Sequence, residues 1–459
     1  MPPAIALSLT LALICFLFWR DSRENSKVSS AVWIPLIWVF LTGSKFVSQW
    51  LTLSQPTYVM PDEGSPIDAA VFLGLIVAGL YVLRRRQVTL REFRKYNVWI
   101  TIFLLYCLVS VIWSDFPFIA VKRWIKVVAL PIMVLVVLTD PNRKEAICRL
   151  FKRSGYLLLL LSILFIKYFP QYGRGWDSWT GLAFNCGINN NKNELGYVCL
   201  IFGAFFFWNT LQALQIKDRR KKRTEVLLNA GFFALACWLL KLASSATSLV
   251  CLCVAILTIC VLGLGFIDKR RVTIYVIAGV LALGAGEAFF GIYRSGLEVL
   301  GRDSTLTDRT QVWHDALQLQ PDPILGAGFE SFWLGRRLDL LWQKWWWRPN
   351  QAHNGYIETY LNLGYVGALL LGGLIIGTFR KTARALVTDF EFGRFRMAML
   401  LAIVIYNFTE ATFKGVHLVW LVFYLIAIDY PPRKPKMVRL SKTVPGFNRS
   451  RRLETAPGY

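Results

Sequence analysis

The chain has 459 residues, of which 55% are hydrophobic and 17% are charged, and its mean hydropathy is +0.45. Because soluble globular proteins carry roughly 25% charged residues, this composition excludes a water-soluble enzyme. The 52 Lys and Arg residues against 28 Asp and Glu give a formal net charge of +24. Retention of basic residues at a membrane surface explains this excess without a nucleic-acid partner.

The apolar segments predict an all-α integral membrane protein, a polytopic bundle of about 12 or 13 transmembrane helices. A helix needs about 20 predominantly apolar residues to cross a bilayer. The predicted spans are residues 3–19, 31–53, 67–83, 97–113, 119–139, 155–170, 194–215, 225–242, 248–267, 272–290, 354–379, 397–410 and 417–430. The first span lacks a basic leader and a small-residue cleavage pattern, so we interpret it as a retained helix rather than a signal peptide.

The basic residues alternate from loop to loop. Seven alternate segments, the last of them the tail 431–459, carry 36 of the 52 basic residues, whereas the six segments of the opposite set carry 10. Since Lys and Arg are retained on the cytoplasmic side in short loops, we expect the tail inside the cell and the long loop 291–352 outside. The sequence thus predicts one membrane domain over residues 1–430 and a basic, largely disordered tail.

The sequence contains no metal or nucleotide motif. The three His residues, His314, His353 and His417, are far apart, and neither a CxxC nor an HExxH pattern occurs. We find no glycine-rich phosphate loop either, so an enzyme of this kind would use no cofactor and take its energy from the substrate. We interpret His314 and His417 as structural, because each lies in a helical pattern without a matching motif.

The long outward loop has structural signals of its own. Residues 305–319 place apolar side chains at helical spacing, with a Thr available as N-cap and Pro321 beyond the end. Residues 341–348 contain four Trp, which suits the outer membrane interface or stacking on sugars. Loops of this length tend to be functional, so we expect the site here.

Three motifs follow one another along this loop. They read T-x-R-T-x-x-W at residues 307–313, P-I-L-G-x-G-x-x-x-F at residues 323–332 and H-N-x9-G-x-x-G at residues 353–367. Together they resemble the signature of the O-antigen ligase and polymerase superfamily, with order and spacing most similar to its ExoQ-like exopolysaccharide polymerase branch. The motif-bearing resemblance covers about residues 181–367.

The resemblance implies a bacterial inner-membrane glycosyltransferase with its active site on the periplasmic side. Its donor would be an oligosaccharide linked to a polyprenyl diphosphate that enters from the membrane, and its acceptor a second saccharide. Further partners of such an activity would be chain-length regulators or export proteins. The motif spacing favours polymerisation, and ligation of the glycan to lipid A core is the alternative.

Two residues of the loop suit the transfer chemistry. A sugar diphosphate has a good leaving group, so transfer needs a base for the acceptor hydroxyl and cations for the diphosphate. His353 can accept a proton near neutral pH, and Arg309 can hold phosphate oxygens through two parallel hydrogen bonds. Arg302 is a weaker candidate for the same diphosphate. The alternatives are a helix-capping or hydrogen-bonded structural His353, and an Arg309 that lies on a solvated helix face or forms a salt bridge with Asp308 or Asp315.

Further candidate binding residues lie outside the loop or follow His353. Lys122, Arg123 and Lys126 stand at the outward end of the fifth span, where a lipid diphosphate would lie, although snorkelling to headgroups is the alternative. The resemblance also implies binding roles for residues at the matching motif positions, for which helix capping is the alternative reading. These are Lys192, Asn193 and Asn354.

One departure from the family pattern concerns the outward turn 244–248. Many members place an Arg near Ser in this turn, whereas this chain has Ala246. The missing cation suggests that the basic residues of the fifth span take over its role. Two other classes remain open: a glycolipid transporter, for which we find no duplicated hydropathy pattern, and a structural subunit of an export complex.

Overall fold

The computed structural model describes residues 1–24, 27–52, 64–176, 181–279, 281 and 309–431. Its helices are α1 Pro3–Glu24, α2 Trp33–Thr42, α3 Val47–Leu51, α4 Pro66–Arg85, α5 Leu90–Tyr96, α6 Val98–Val109, α7 Pro117–Leu138, α8 Arg143–Tyr168, α9 Pro170–Gly173, α10 Lys192–Ala213, α11 Arg219–Ala243, α12 Ala246–Gly263, α13 Arg309–Gln318, α14 Gly335–Lys344, α15 Gly355–Thr388, α16 Phe390–Tyr406 and α17 Leu418–Ala427. A short antiparallel hairpin, β1 Arg174–Trp176 and β2 Ala183–Asn185, precedes α10. Residues 432–459 of the predicted tail and Arg302 lie outside the described residues.

The prediction of an all-α polytopic membrane protein is confirmed. Six described helices (α1, α4, α10, α11, α12 and α15) are long and apolar enough to cross a membrane, and the pair α5–α6, bent by 111°, could add a seventh. This is fewer than the 12 or 13 spans expected. Two predicted spans, 31–53 and 417–430, contain the ten-residue helices α2 and α17, which are too short to cross alone.

The core of the bundle is built around α10, which packs against α8, α11 and α12, while α12 also packs against α16. In α10, 78% of the most apolar window is buried, so its side chains contact protein on nearly every face. Helix α17 is also buried along its whole length. The apolar composition of α17 on every face is therefore explained by the neighbouring helices that cover it.

Many basic residues of the predicted cytoplasmic face form buried ion pairs. The carboxylate of Asp21 on α1 lies 3.1 Å from Arg149 and 2.7 Å from Arg153, both on α8. Arg86 lies 3.2 Å from Asp140 in the same way. Because an unpaired buried charge is costly, these contacts also fix how the helices are arranged at this end.

Helix α15 is broken near its outward end. Gly364 has φ +62° and ψ −164°, so two helical segments meet there. The amides of Tyr365 and Val366, freed by this break, donate to the carbonyls of Pro323 at 2.9 Å and Ile324 at 3.2 Å. The outward loop is therefore joined by backbone hydrogen bonds to the interior of a membrane helix, which positions the residues discussed next.

Candidate functional site

The described part of the outward loop forms a small packed unit on top of the bundle. Asp315 of α13 accepts hydrogen bonds from Lys344 at 2.6 Å and from the indole of Trp345 at 2.9 Å, and so joins α13 to α14. The indole of Trp313 donates to the carbonyl of Ala352 at 2.6 Å. Helix α13 is thereby held against the residue that precedes His353.

The four Trp of residues 341–348 do not form one exposed surface. Trp342, Trp345 and Trp347 pack against the apolar core of the loop, and only Trp346, 64% exposed, is open to the surroundings. The expected aromatic surface is therefore reduced to one exposed ring, since most of these side chains supply the apolar area that a unit of this size needs to fold.

Each residue of the motif His353-Asn354-Gly355 has a different structural feature. His353 adopts a left-handed backbone with φ +49°. The side chain of Asn354 caps α15 by accepting from the amides of Tyr356 and Ile357. A Cβ at position 355 would overlap the side-chain oxygen of Asn407, so only glycine allows this close approach.

The site predicted from the motifs is organised by a carboxylate that sequence reasoning missed. Oε2 of Glu410 lies 3.4 Å from Nδ1 of His353, and its Oε1 lies 3.8 Å from the guanidinium of Arg309. Oε1 also accepts a 2.9 Å hydrogen bond from Asn193. Arg309 donates in addition to the carbonyl of Thr409. We call these five residues the Glu410 cluster.

Electrostatics keep Glu410 ionised in this cluster. Burial by itself raises the pKa of a carboxyl group, but the hydrogen bond to His353 and the charges of His353 and Arg309 outweigh it, so the pKa of Glu410 is lowered from its ordinary value of 4.5. An ionised carboxylate can only accept hydrogen bonds. It therefore favours the tautomer in which Nδ1 of His353 carries the proton and Nε2 is left as the acceptor.

The amide of Gln351 also lies 3.4 Å from Nδ1 of His353 and would favour the opposite tautomer as a donor. The carboxylate is charged and the amide is not, and hydrogen bonds to charged groups are about twice as strong as neutral ones. Glu410 therefore sets the proton position. The side chain of His353 is 24% exposed, so a substrate hydroxyl can reach the ring.

A cavity of about 340 Å³ adjoins the Glu410 cluster and contains two other candidate residues. Arg123 and Lys126 line it from α7, together with Glu330, Glu358 and Lys414. Glu358 connects the two regions, because its carboxylate accepts from the amide of Ala352 at 2.9 Å. The cavity is thus next to His353, although His353 is not part of its lining.

The remaining candidates, Lys122 and Lys192, are neighbours of these two regions but are not part of the cavity lining or of the Glu410 cluster. Lys122 lies over the ring of Phe118 at 4.3 Å and is not among the residues lining the cavity. Lys192 begins α10, one residue before Asn193, with its ammonium 6.0 Å from the ring of Phe184. Among the described residues, the structure therefore brings His353, Arg309 and Asn193 together at Glu410, with Asn354 beside them as a cap.

Two other predictions concern the structural roles of His314 and His417 and the outward turn 244–248, where many family members have an arginine and this chain has Ala246. His314 is exposed and contacts Gln318 of its own helix at 2.9 Å. His417 caps α17 through its ring nitrogen, which accepts from the amide of Val419. In the outward turn, the hydroxyl of Thr247 lies 2.9 Å from that of Thr409, so this turn lies beside the Glu410 cluster.

Glu410 could have been found from one sequence signal. It is the only acidic residue in the predicted outward segment 408–416. A lone carboxylate between two apolar spans is costly to place near a membrane unless it has a partner or a function.

The comparisons with known proteins agree with the motifs. Residues 230–372 match the family model described as O-antigen ligase. The chain is also 24% identical, over 306 residues, to the exopolysaccharide production protein ExoQ of Rhizobium meliloti (strain 1021), a match that covers 64% of this chain and spans 66% of that protein. The resemblance to the O-antigen ligase family and its ExoQ-like branch is thus confirmed. The family-model match includes Arg309 and His353 but not Asn193 or Glu410.

Proposed function

From a chain that carries an O-antigen ligase region and resembles ExoQ, we propose a membrane glycosyltransferase that acts at the periplasmic face of a bacterial inner membrane. It transfers an oligosaccharide from a polyprenyl diphosphate to a saccharide acceptor. The observation that carries the proposal is the contact of His353 and Arg309 with the two oxygens of one carboxylate, Glu410.

The proposed reaction is a direct displacement. An acceptor hydroxyl attacks the anomeric carbon of the donor sugar and forms the new glycosidic bond. The bond from this carbon to the diphosphate oxygen breaks, and its electron pair leaves with the diphosphate. Nε2 of His353 takes the hydroxyl proton while Glu410 stabilises the imidazolium that forms. Attack opposite the leaving group inverts the anomeric configuration.

The charge that develops on the leaving diphosphate needs cations. Arg309 is 15% exposed in its side chain and is held by Glu410 and Thr409, so its guanidinium is positioned before the donor binds. Arg123 and Lys126 line the adjoining cavity at the outward end of α7, where they can hold the lipid-proximal part of the same diphosphate. Protein cations then perform the charge stabilisation, and the reaction needs no metal.

Polymerisation of an exopolysaccharide is the form of this activity that we favour. The similar protein of Rhizobium meliloti is named for exopolysaccharide production, and the loop motifs resemble the polymerase branch. Ligation of a finished glycan to a lipid acceptor is the second candidate, because the matching family model is described as O-antigen ligase. Both activities use the same donor chemistry.

The proposal is tested by His353→Ala at unchanged protein level in the producing cell. The control is His314→Ala, which removes an exposed imidazole of the same loop that lies outside the Glu410 cluster. The lipid-linked glycans are then analysed by mass spectrometry.

For a polymerase, we expect His353→Ala to accumulate single lipid-linked repeat units and to lose polymer, while the control resembles the wild type. Long glycans that remain on the carrier would identify a ligase. Normal chain lengths and normal transfer in His353→Ala would contradict the proposal and favour transport or a structural role.

A further inference from the structure

A second polar cavity lies at the opposite end of the bundle from the Glu410 cluster. It encloses about 260 Å³ where the bend between α5 and α6 meets α15. Its lining includes Tyr96, Trp99, Arg380, Lys381 and Arg384. The alternation of basic loops predicts that this end lies on the cytoplasmic side of the membrane.

The wall of this cavity is held rigidly by Asn97. Its amide donates to the carbonyls of Phe93 at 3.0 Å and Asp429 at 2.9 Å, and its side-chain oxygen accepts from the amide of Asp429 at 3.0 Å. The ammonium of Lys381 donates to the same oxygen at 2.8 Å and to the carbonyl of Ala427 at 2.9 Å. These contacts fix the bend and anchor Lys381, so the cavity is formed before a ligand arrives.

Two of the residues that line the cavity, Tyr96 and Trp99, are exposed aromatics and indicate its depth in the membrane. Trp99 is 44% exposed and Tyr96 is 40% exposed. The ring of Trp99 packs closely on Gly377, where a Cβ would come within 2.6 Å of it. Exposed Trp and Tyr side chains are enriched at the interface between lipid headgroups and acyl chains. This enrichment predicts that the cavity opens at headgroup level.

The charged side chains that line the cavity are all basic. No acidic residue occurs among the described residues that line it. Arg380 and Arg384 are both exposed and lie four residues apart on one face of α15. Like charges at this spacing repel each other, and in the described part of the chain neither guanidinium has a hydrogen-bond or ion-pair partner. An anion between them would relieve the repulsion.

We propose that this cavity binds the headgroup phosphate of an anionic phospholipid from the cytoplasmic leaflet. Arg380 and Arg384 hold the phosphate oxygens, since a guanidinium can donate two parallel hydrogen bonds to them. Basic pockets between membrane helices on the cytoplasmic side are suited to anionic headgroups. Trp99 and Tyr96 lie where the glycerol and the start of the acyl chains would follow. The site is independent of the proposed transfer reaction.

The test uses the purified full-length protein and native mass spectrometry with added phosphatidylglycerol or phosphatidylcholine. The test variant is Arg380→Gln/Arg384→Gln. The matched control is Arg219→Gln/Arg223→Gln, which removes two exposed arginines at the same spacing from the predicted cytoplasmic end of α11. Arg380→Lys/Arg384→Lys keeps the charge and shows whether loss of binding reflects charge rather than misfolding.

We expect phosphatidylglycerol to bind in preference to phosphatidylcholine and the test variant to bind it about tenfold or more weakly, from two lost cations. The control should match the wild type, and the lysine variant should retain most of the binding. Unchanged binding in the test variant, or an equal loss in the control, would overturn the proposal. Displacement of the lipid by millimolar inorganic phosphate alone would identify a free-phosphate site and overturn it as well.

Discussion

His353 has a backbone conformation that residues other than glycine rarely adopt. Its φ of +49° lies in the left-handed region. Such strain persists only where the surroundings enforce it, and it is concentrated at functional sites. Here the cap formed by Asn354 and the close contact of Gly355 with Asn407 fix the chain on one side. In this conformation Nδ1 of the imidazole lies 3.4 Å from Glu410.

The lowered pKa of Glu410 predicts how stability depends on pH. A carboxylate whose pKa is lower in the folded than in the unfolded chain stabilises the fold above its unfolded pKa, and this contribution disappears as the pH falls through the folded pKa. We therefore expect Glu410→Gln to be less stable than the wild type by an amount that is constant from neutral pH down to about pH 5 and shrinks below 4.5.

Thermal unfolding of both proteins across this pH range measures the effect. Near neutral pH the difference should be about 1–3 kcal/mol, as for loss of a hydrogen bond to a charged group. A difference that grows as the pH falls below 4.5 would show that Glu410 is not held ionised by His353 and Arg309.

The sequence predicted the residues of this site better than their arrangement. His353, Arg309 and Asn193 can be predicted from the sequence, because each lies in a motif or at the start of a helix. Glu410 was missed because its contact with His353 joins residues 57 positions apart, and no local pattern encodes such a contact. Arg123 and Lys126 are predicted as binding residues from their place on α7. In the structure they line a cavity whose lining does not include His353.

At the scale of elements, the glycine motifs of the outward loop and of α15 act as one unit. A Cβ at Gly364 would overlap the carbonyl of Ile324, and a Cβ at Gly326 would meet the backbone of Asn362. The two motifs are far apart in the sequence, yet each provides a glycine that the backbone of the other motif can approach closely. This explains in physical terms why both glycine patterns occur together.

Gly364→Ala should therefore disrupt the docking of the loop on α15. The substitution adds a steric overlap and places Ala at φ +62°, so we expect a loss of about 2–4 kcal/mol in unfolding free energy. Gly372→Ala is the matched control on the same helix, because nothing lies within 4 Å of a Cβ there.

Thermal unfolding and limited proteolysis of residues 309–352 provide the measurements. The control should be neutral or slightly stabilising, as is usual for Gly to Ala inside a helix. Equal stability of the two variants would show that the break at Gly364 is not needed to hold the loop.

The break in α15 and the short helices show what hydropathy does not reveal. The apolar residues of 354–379 predict one span, but the helix is broken at Gly364, and the amides of Tyr365 and Val366 donate to carbonyls of the loop instead. In the predicted span 31–53, α2 already ends at Thr42, and beyond it Lys45 donates to the carbonyl of Asn189 at 3.0 Å. Tertiary contacts of this kind override a local apolar signal.

At the scale of the whole molecule, buried ion pairs stabilise the predicted cytoplasmic end of the bundle. The basic residues of the predicted cytoplasmic end were interpreted as determinants of orientation, but several are also structural. Asp21 is 5% exposed and contacts both Arg149 and Arg153. Hydropathy and charge counts could not show this, because they contain no information on which carboxylate each arginine meets.

Asp21→Asn should therefore destabilise the whole bundle. The substitution removes a charged partner that Arg149 and Arg153 share in a buried cluster, so we expect a loss of about 3–5 kcal/mol. Asp268→Asn is the control, since its ion pair with Arg271 at 3.4 Å is exposed and surface pairs contribute about 0–1 kcal/mol. Denaturation in detergent measures both, and equal effects would contradict this interpretation of the buried cluster.

The central claim is that His353 performs the transfer with Glu410 holding its proton in place. The most direct measurement is the transfer rate of the purified protein in proteoliposomes with a synthetic polyprenyl-diphosphate oligosaccharide. Wild type, His353→Ala and Glu410→Gln are compared with the control His314→Ala. We predict that both site variants are at least about 100-fold slower than the wild type, as expected for loss of a positioned base, and that the control is unaffected. Site variants as fast as the control would contradict the account.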